Sequence, residues 1–229
     1  MAEVLEGIRK HISSGIKTRE LDEFAESFIL SKGAKPAFKG YRGYPSSICA
    51  SVNEQVVHGI PSSVKLKKGD IISIDIGVYY NGFYGDAALT LPVGDISSKA
   101  KKLLAVTEES LQVGIESAVT GNRLSDISFA IQNNVEPEGF SVVRNFVGHG
   151  IGRKLHEEPQ IPNFGKPGQG PELMPGMTLA IEPMVNEGGW EISILNDGWT
   201  AVTKDQSLSA HFEHTVAITK NGHDVLTKL

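Results

Sequence analysis

GDIISIDIG, residues Gly69–Gly77, returns 107 positions later as GMTLAIEPM, residues Gly176–Met184. Both stretches are rich in aliphatic and β-branched residues, the composition of a buried strand. Each carries one acid at the matching place, Asp75 in the first and Glu182 in the second. Working outward, Gly15, Leu21, Ile29 and Gly33 recur as Gly121, Ile127, Val135 and Gly139, at an offset of 106. Asp86 ahead of ALTLPV and Glu213 ahead of HTVAITK take equivalent places at the heads of two further strands. The chain therefore reads as a duplication, with halves of about 1–105 and 106–229.

Periodicity fills in the elements. Apolar residues at helical spacing predict helices over Leu21–Leu30, Ser98–Ile115 and Asp126–Val135, the last capped by Ser125 or Asp126. Val4, Leu5 and Ile8 predict a further helix with no capping residue ahead of it. Strands are expected over Ile71–Val78, Asp86–Leu91, Met177–Val185 and His214–Ile218, and a loop over Pro159–Gly176. No low-complexity linker divides them. The expectation is one α+β domain spanning 1–229, with the two halves facing each other.

Bulk properties exclude several classes. With 40% hydrophobic and 21% charged residues the chain is ordinary for a globular protein. A net charge of −5 with no basic stripe gives nucleic acid no footprint. The single cysteine, Cys49, rules out a disulfide framework and fits a reducing compartment. No apolar run approaches membrane-spanning length, and MAEVLEGIRK lacks a signal-peptide core, so the cytoplasm is expected.

An acid inside a strand as apolar as IISIDIG needs a partner, because burying a lone carboxylate costs several kcal/mol. A solitary Asp would more often turn to the open face or meet an Arg. Asp75 is not solitary. Asp86, Glu182 and Glu213 occupy comparable positions, and GHGIGRKLHEEP adds His149 and His156 among glycines. Four carboxylates and an imidazole suit two hard or borderline divalent cations. Two cations roughly 3.5–4 Å apart need a bridging carboxylate from each side, which a duplicated strand pair supplies. Asp86 and Glu213 are expected as the bridges, Asp75 as terminal ligand of one ion, and His149 and Glu182 as ligands of the other. A water activated between them is the nucleophile, and Glu182 the shuttle for its proton. This chemistry points to amide hydrolysis.

Among the other histidines, His58 lies in a turn-rich stretch from which a side chain can reach a cleft. His156 is open between completing a ligand set and bonding a substrate carbonyl. His11, His211, His214 and His223 are expected at the surface or in structural roles. His214 should face away from the ligand that precedes it.

The contexts IDIG, GDAA, GHGIGRKLH, IEPM and FEHT resemble those of type I methionine aminopeptidases, from GIKTRELD at Gly15 to the end of the chain. FSVVRNFVGHGIGRKLHEEPQIPNFG (Phe140–Gly165) and GYPSSICASVNEQVVHGIP (Gly43–Pro61) are independent matches. The resemblance implies the pita-bread fold, a pseudo-twofold α/β sandwich with the metal site between its halves. It implies removal of the initiator methionine from nascent chains, preferentially when the next residue is small. It implies two divalent metals, with manganese, iron, cobalt or zinc all acceptable to such ligands. It places His58 and His156 on substrate rather than metal, with His156 polarising the scissile carbonyl. It also assigns Tyr41, Tyr44, Cys49 and Trp199 to a methionine pocket, a soft apolar slot suited to a thioether. Asn53 and Ser209 match a monovalent-cation site of some relatives. A monomer, and docking at the ribosome, are family expectations.

Three departures stand out: an N-terminal helix shorter than usual, Leu155 where an aromatic is common, and a bulky Phe38 at the pocket rim. The rival readings are an Xaa-Pro dipeptidase or creatinase-like enzyme, and a non-catalytic ribosome- or RNA-binding relative. The first usually carries a large extra N-terminal domain, and the second should have lost ligands and gained basic patches. A type II enzyme would need an insertion for which the segment between His156 and Glu182 is too short.

Overall fold

The hairpin at one side of the sheet's centre follows from local chemistry. Strands Ile71–Tyr80 and Phe83–Pro92 are joined by Asn81-Gly82, both at positive φ, the conformation a tight hairpin turn demands. The structure is a computed structural model and describes residues 1–228.

Among the described residues, nine strands form the main sheet. Its central order is Ile71–Tyr80, Phe83–Pro92, Glu213–Thr219, Thr178–Ile181, followed by Gly148–Gly150 and Glu157–Ile161. The first pair lies in the N-terminal half of the sequence and the second in the C-terminal half. The order is palindromic: Asp75 lies on one outer strand of the four and Glu182 directly follows the other, while Asp86 and Glu213 lie on the two inner ones.

Alternation along these strands separates two layers. Ile72, Ile74, Ile76 and Ala87 face a core built on helices α1 (Ala2–His11) and α2 (Thr18–Ser31). Leu179, Ile181, Val216 and Ile218 face a second core built on α3 (Ser98–Ser117) and α4 (Leu124–Val135). Gly114 lets α3 and α4 approach, since a Cβ there would press on Ile131. Val4, Leu5 and Ile8, the stripe expected of a helix, are all buried.

The acids project from the other face. Asp75, Ala88 and Glu213 are direct cross-strand neighbours on three adjacent strands, so they share a face, and Asp86, two residues before Ala88, shares it too. His149 pairs with Ala180, two residues before Glu182. All five candidate ligands thus rise from the side of the sheet away from the helices.

Several expectations need correction. The strand anticipated over Met177–Val185 is broken at Glu182-Pro183: Thr178–Ile181 stays in the main sheet, and Met184–Asn186 joins Ser209–His211 in another. Proline has no N–H for the ladder, so the break falls there. The loop anticipated over Pro159–Gly176 begins too early, because Glu157–Ile161 pairs with Gly148–Gly150. α4 starts at Leu124 with Arg123 as its cap residue, not at Ser125 or Asp126. Asp126 instead reaches back from the first turn to accept from the Arg123 amide at 2.7 Å, and Ser125 Oγ accepts from the Gln169 amide at 2.6 Å.

Candidate metal centre

His149 is held by its glycines. A Cβ at Gly148 would run into the Ala180 carbonyl oxygen, and one at Gly150 into the carbonyl oxygen of Glu158. Only bare backbone lets this strand lie so close to both neighbours. The His149 Nδ1 lies 2.8 Å from the Gly150 carbonyl oxygen, which places the ring hydrogen on Nδ1 and leaves the Nε2 lone pair free. That Nε2 stands 3.5 Å from Glu182 Oε1 and 4.0 Å from Asp86 Oδ2. Ligand atoms of Asp86, His149 and Glu213 all lie within 4.8 Å of one another.

Asp86 is anchored through its main chain, with its amide donating to Thr215 Oγ1 and its carbonyl accepting from the same hydroxyl. The backbone of Glu182 is fixed by Asn163, whose Nδ2 donates to the Glu182 carbonyl at 3.0 Å.

The donor atoms fit a cation. Asp75 Oδ1, Asp86 Oδ1 and Glu213 Oε1 are buried without a hydrogen-bond partner among the described residues. Buried polar atoms are normally satisfied, so three orphaned carboxylate oxygens on residues that line one cavity are informative. Burial first, then mutual repulsion, pushes Asp75, Glu182 and Glu213 well above the usual carboxylate range. Burial raises Asp86 to about 7, against a hydrogen bond with Asp75. Burial also depresses His149, which keeps its imidazole neutral as a ligand must be. A divalent cation relieves the repulsion that otherwise keeps these acids protonated.

Around the acids lies a cavity of about 450 Å³. It is lined by every residue expected at the site: Tyr41, Tyr44, Cys49, His58, His156 and Trp199, together with the five candidate ligands. Tyr44 and Trp199 meet edge to face at 5.1 Å, and Cys49 is the cross-strand neighbour of Asp75. Asp197 Oδ1 accepts from the Trp199 and Thr200 amides and so sets the indole at the opening. His58 takes a left-handed backbone, φ 60°, uncommon outside glycine and frequent at functional sites. Its ring stands against Phe146 at 5.3 Å. The His156 Nδ1 is 2.8 Å from the Tyr41 hydroxyl, leaving Nε2 for the cavity, and burial lowers this imidazole to about 4.

The sequence model of metallopeptidase family M24 matches residues 1–220. The chain belongs to that family. This M24 peptidase is 60% identical over 224 residues to methionine aminopeptidase 1 of Bacillus subtilis, covering 98% of this chain and 90% of that one. It is 59% identical to the methionine aminopeptidase of Clostridium perfringens, covering 99% and 91%. The crystal structure of methionine aminopeptidase from Thermotoga maritima superposes with a TM-score of 0.98 at 51% identity, covering 100% of this chain and 92% of that one. A prolidase from Pyrococcus furiosus shares the fold at a TM-score of 0.78 and 24% identity, but this chain spans 60% of it. The M24 peptidase therefore has the pita-bread fold and belongs to a family of metallopeptidases, and its Asp86, His149 and Glu213 form a group that could hold a metal ion. Neither the prolidase-like nor the non-catalytic reading is favoured. Among the described residues no helix is long and apolar enough to cross a membrane.

Two placements depart from the sequence reading of this M24 peptidase. Phe38 is buried in the cavity wall over Gly77 rather than at the rim, and Gly77 lacks the Cβ that would strike its ring. His211, expected at the surface or in a structural role, is buried and lines the cavity. The spacing held the signal: His211 is two residues before Glu213, the interval that puts side chains on one face of an extended segment. His214 faces the other way and bonds Thr227, as expected. Asn53 and Ser209 do meet, the Ser209 amide donating to the Asn53 carbonyl at 2.9 Å.

Proposed function

We propose that this chain is a metal-dependent aminopeptidase that removes the initiator methionine from newly made polypeptides, acting in the cytoplasm. The observation that carries the reading is the joining of two features in the lining of one cavity: five ligand-type residues, and an aromatic and thiol group of side chains suited to a thioether. Whole-chain identity of about three-fifths to the methionine aminopeptidases above supports it.

In this reading Asp75, Asp86, His149, Glu182 and Glu213 hold two divalent ions, with manganese, iron, cobalt and zinc as candidates. When bound, the ions polarise the scissile carbonyl and make water a nucleophile at neutral pH. The chain's own residues do the rest. Tyr44, Cys49 and Trp199 clasp the methionine side chain and fix the amide over the acids. His156, with its Nδ1 occupied by Tyr41, donates from Nε2 to the carbonyl oxygen. Glu182 takes a proton from the attacking water and delivers it to the departing amine. His58 borders the path of the next residue, where small side chains pass. The carbonyl of Asn53 and the hydroxyl of Ser209 are candidate contacts of a monovalent cation.

The test is methionine release from Met-Ala-Ser and Met-Lys-Ser by metal-stripped protein refilled with each metal in turn. Metal-dependent cleavage of the first peptide and sparing of the second is the expected result. Absence of cleavage under every metal would overturn the assignment.

A further inference from the structure

Glu182 stands between two imidazoles. Its Oε1 is 3.5 Å from His149 Nε2, and its Oε2 is 3.8 Å from Nε2 of His211. The His211 Nε2 is buried and has no hydrogen-bond partner among the described residues. The residue itself is 1% exposed. Its backbone is pinned from two sides. Thr90 Oγ1 accepts from the His211 amide at 2.9 Å and donates to the His211 carbonyl at 2.8 Å, while His211 pairs with Met184 across the neighbouring strand. The ring is thus fixed beside the carboxylate, and it stands outside the group formed by Asp86, His149 and Glu213.

We infer that His211 is a positioning residue for Glu182, donating from Nε2–H to Oε2 and thereby turning Oε1 toward His149. This deepens the aminopeptidase reading and rests on Glu182 as the proton carrier. A carboxylate oxygen is the acceptor at hand for that N–H, and a charge-assisted bond of this kind is about twice as strong as a neutral one. Catalytic hydrogen bonds are often long in ligand-free geometry and shorten when the site is filled. Without the donor, Glu182 turns freely about its terminal torsion, and the proton it carries is presented in the wrong direction.

The experiment compares H211A and H211Q in the full chain, loaded with manganese and assayed on Met-Ala-Ser. H211A should lower kcat about 10- to 100-fold while KM moves by about twofold or less and manganese content is unchanged. H211Q, whose amide N–H stands where Nε2–H was, should recover most of that loss. In zinc-loaded protein, where the cation keeps Glu182 ionised, 15N-labelled histidine spectra should show the His211 proton on Nε2. A metal site emptied by H211A, an H211Q as slow as H211A, or a proton on Nδ1 would each overturn the proposal. If the unsubstituted chain cleaves nothing, the aminopeptidase reading fails instead, and the proton's position still decides the contact.

Discussion

The hydroxyl of Thr215 serves both backbone groups of Asp86, accepting from its amide at 3.0 Å and donating to its carbonyl at 2.7 Å. Four residues along the chain from each of these, Thr90 does the same for His211. These two bridges flank the Ala88–Glu213 pair symmetrically, where the ladder between Phe83–Pro92 and Glu213–Thr219 is otherwise only two residues long.

Thr215→Val keeps the shape and removes both bonds, leaving a buried amide and carbonyl unpaired. The cost should be about 2–6 kcal/mol, since each of the two unsatisfied groups costs roughly 1–3. Metal affinity should fall as well, because Asp86 loses its anchor. Urea unfolding and a manganese titration check this; unchanged values for both would show that the bridge is incidental.

Metal-free protein should lose stability as the solution turns alkaline. The folded-state pKa of Asp86 is raised to about 7, mainly by burial, and those of Asp75, Glu182 and Glu213 are raised well above the usual carboxylate range by the same cause. A carboxyl raised on folding stabilises fully below its unfolded value near 4, and that contribution is lost as pH climbs through the folded value. Melting temperature in chelator should therefore fall between about pH 5 and 8. Excess manganese should reverse the slope. A flat profile would contradict the burial of these acids.

Glu182→Gln keeps the volume of the side chain and deletes its proton chemistry. Turnover should drop by about 100-fold or more, the usual range for a general acid or base. Metal content is expected to fall as well. Atomic absorption together with peptide assays separates the effects, and full activity in the variant would remove Glu182 from its role.

His156→Ala should lower kcat by about 100-fold with metal occupancy nearly intact. Tyr41→Phe should produce a milder loss in the same direction, because the imidazole is no longer held at Nδ1. If His156→Ala instead emptied a metal site, the division between ligands and substrate contacts would be wrong.

Much of this was legible in the chain itself. The acids of IISIDIG and LAIEPM contradict their apolar surroundings, and that contradiction is visible without coordinates. The helix stripe of Val4, Leu5 and Ile8 and the opposite facing of His214 also followed from spacing alone. The boundary errors have local causes. Asn81-Gly82 is a strong hairpin signal, and reading it would have extended both central strands to Tyr80 and Phe83. Pro183 marks the strand break for the same reason it cannot donate to a ladder. His211 was missed because a histidine on a buried strand usually packs or faces solvent, and its relation to Glu182 arises from two segments 29 positions apart. No short-range pattern carries such a relation.

Ala88 has a consequence for how the site tolerates change. Its methyl group lies between Asp75 and Glu213 on adjoining strands. The acids at the two sides are therefore separated by two inter-strand steps of about 4.8 Å each. The gauge of the cleft is thus the gauge of the sheet itself, a constant of polypeptide geometry rather than of any loop. Loops and helices can drift in sequence without retuning it.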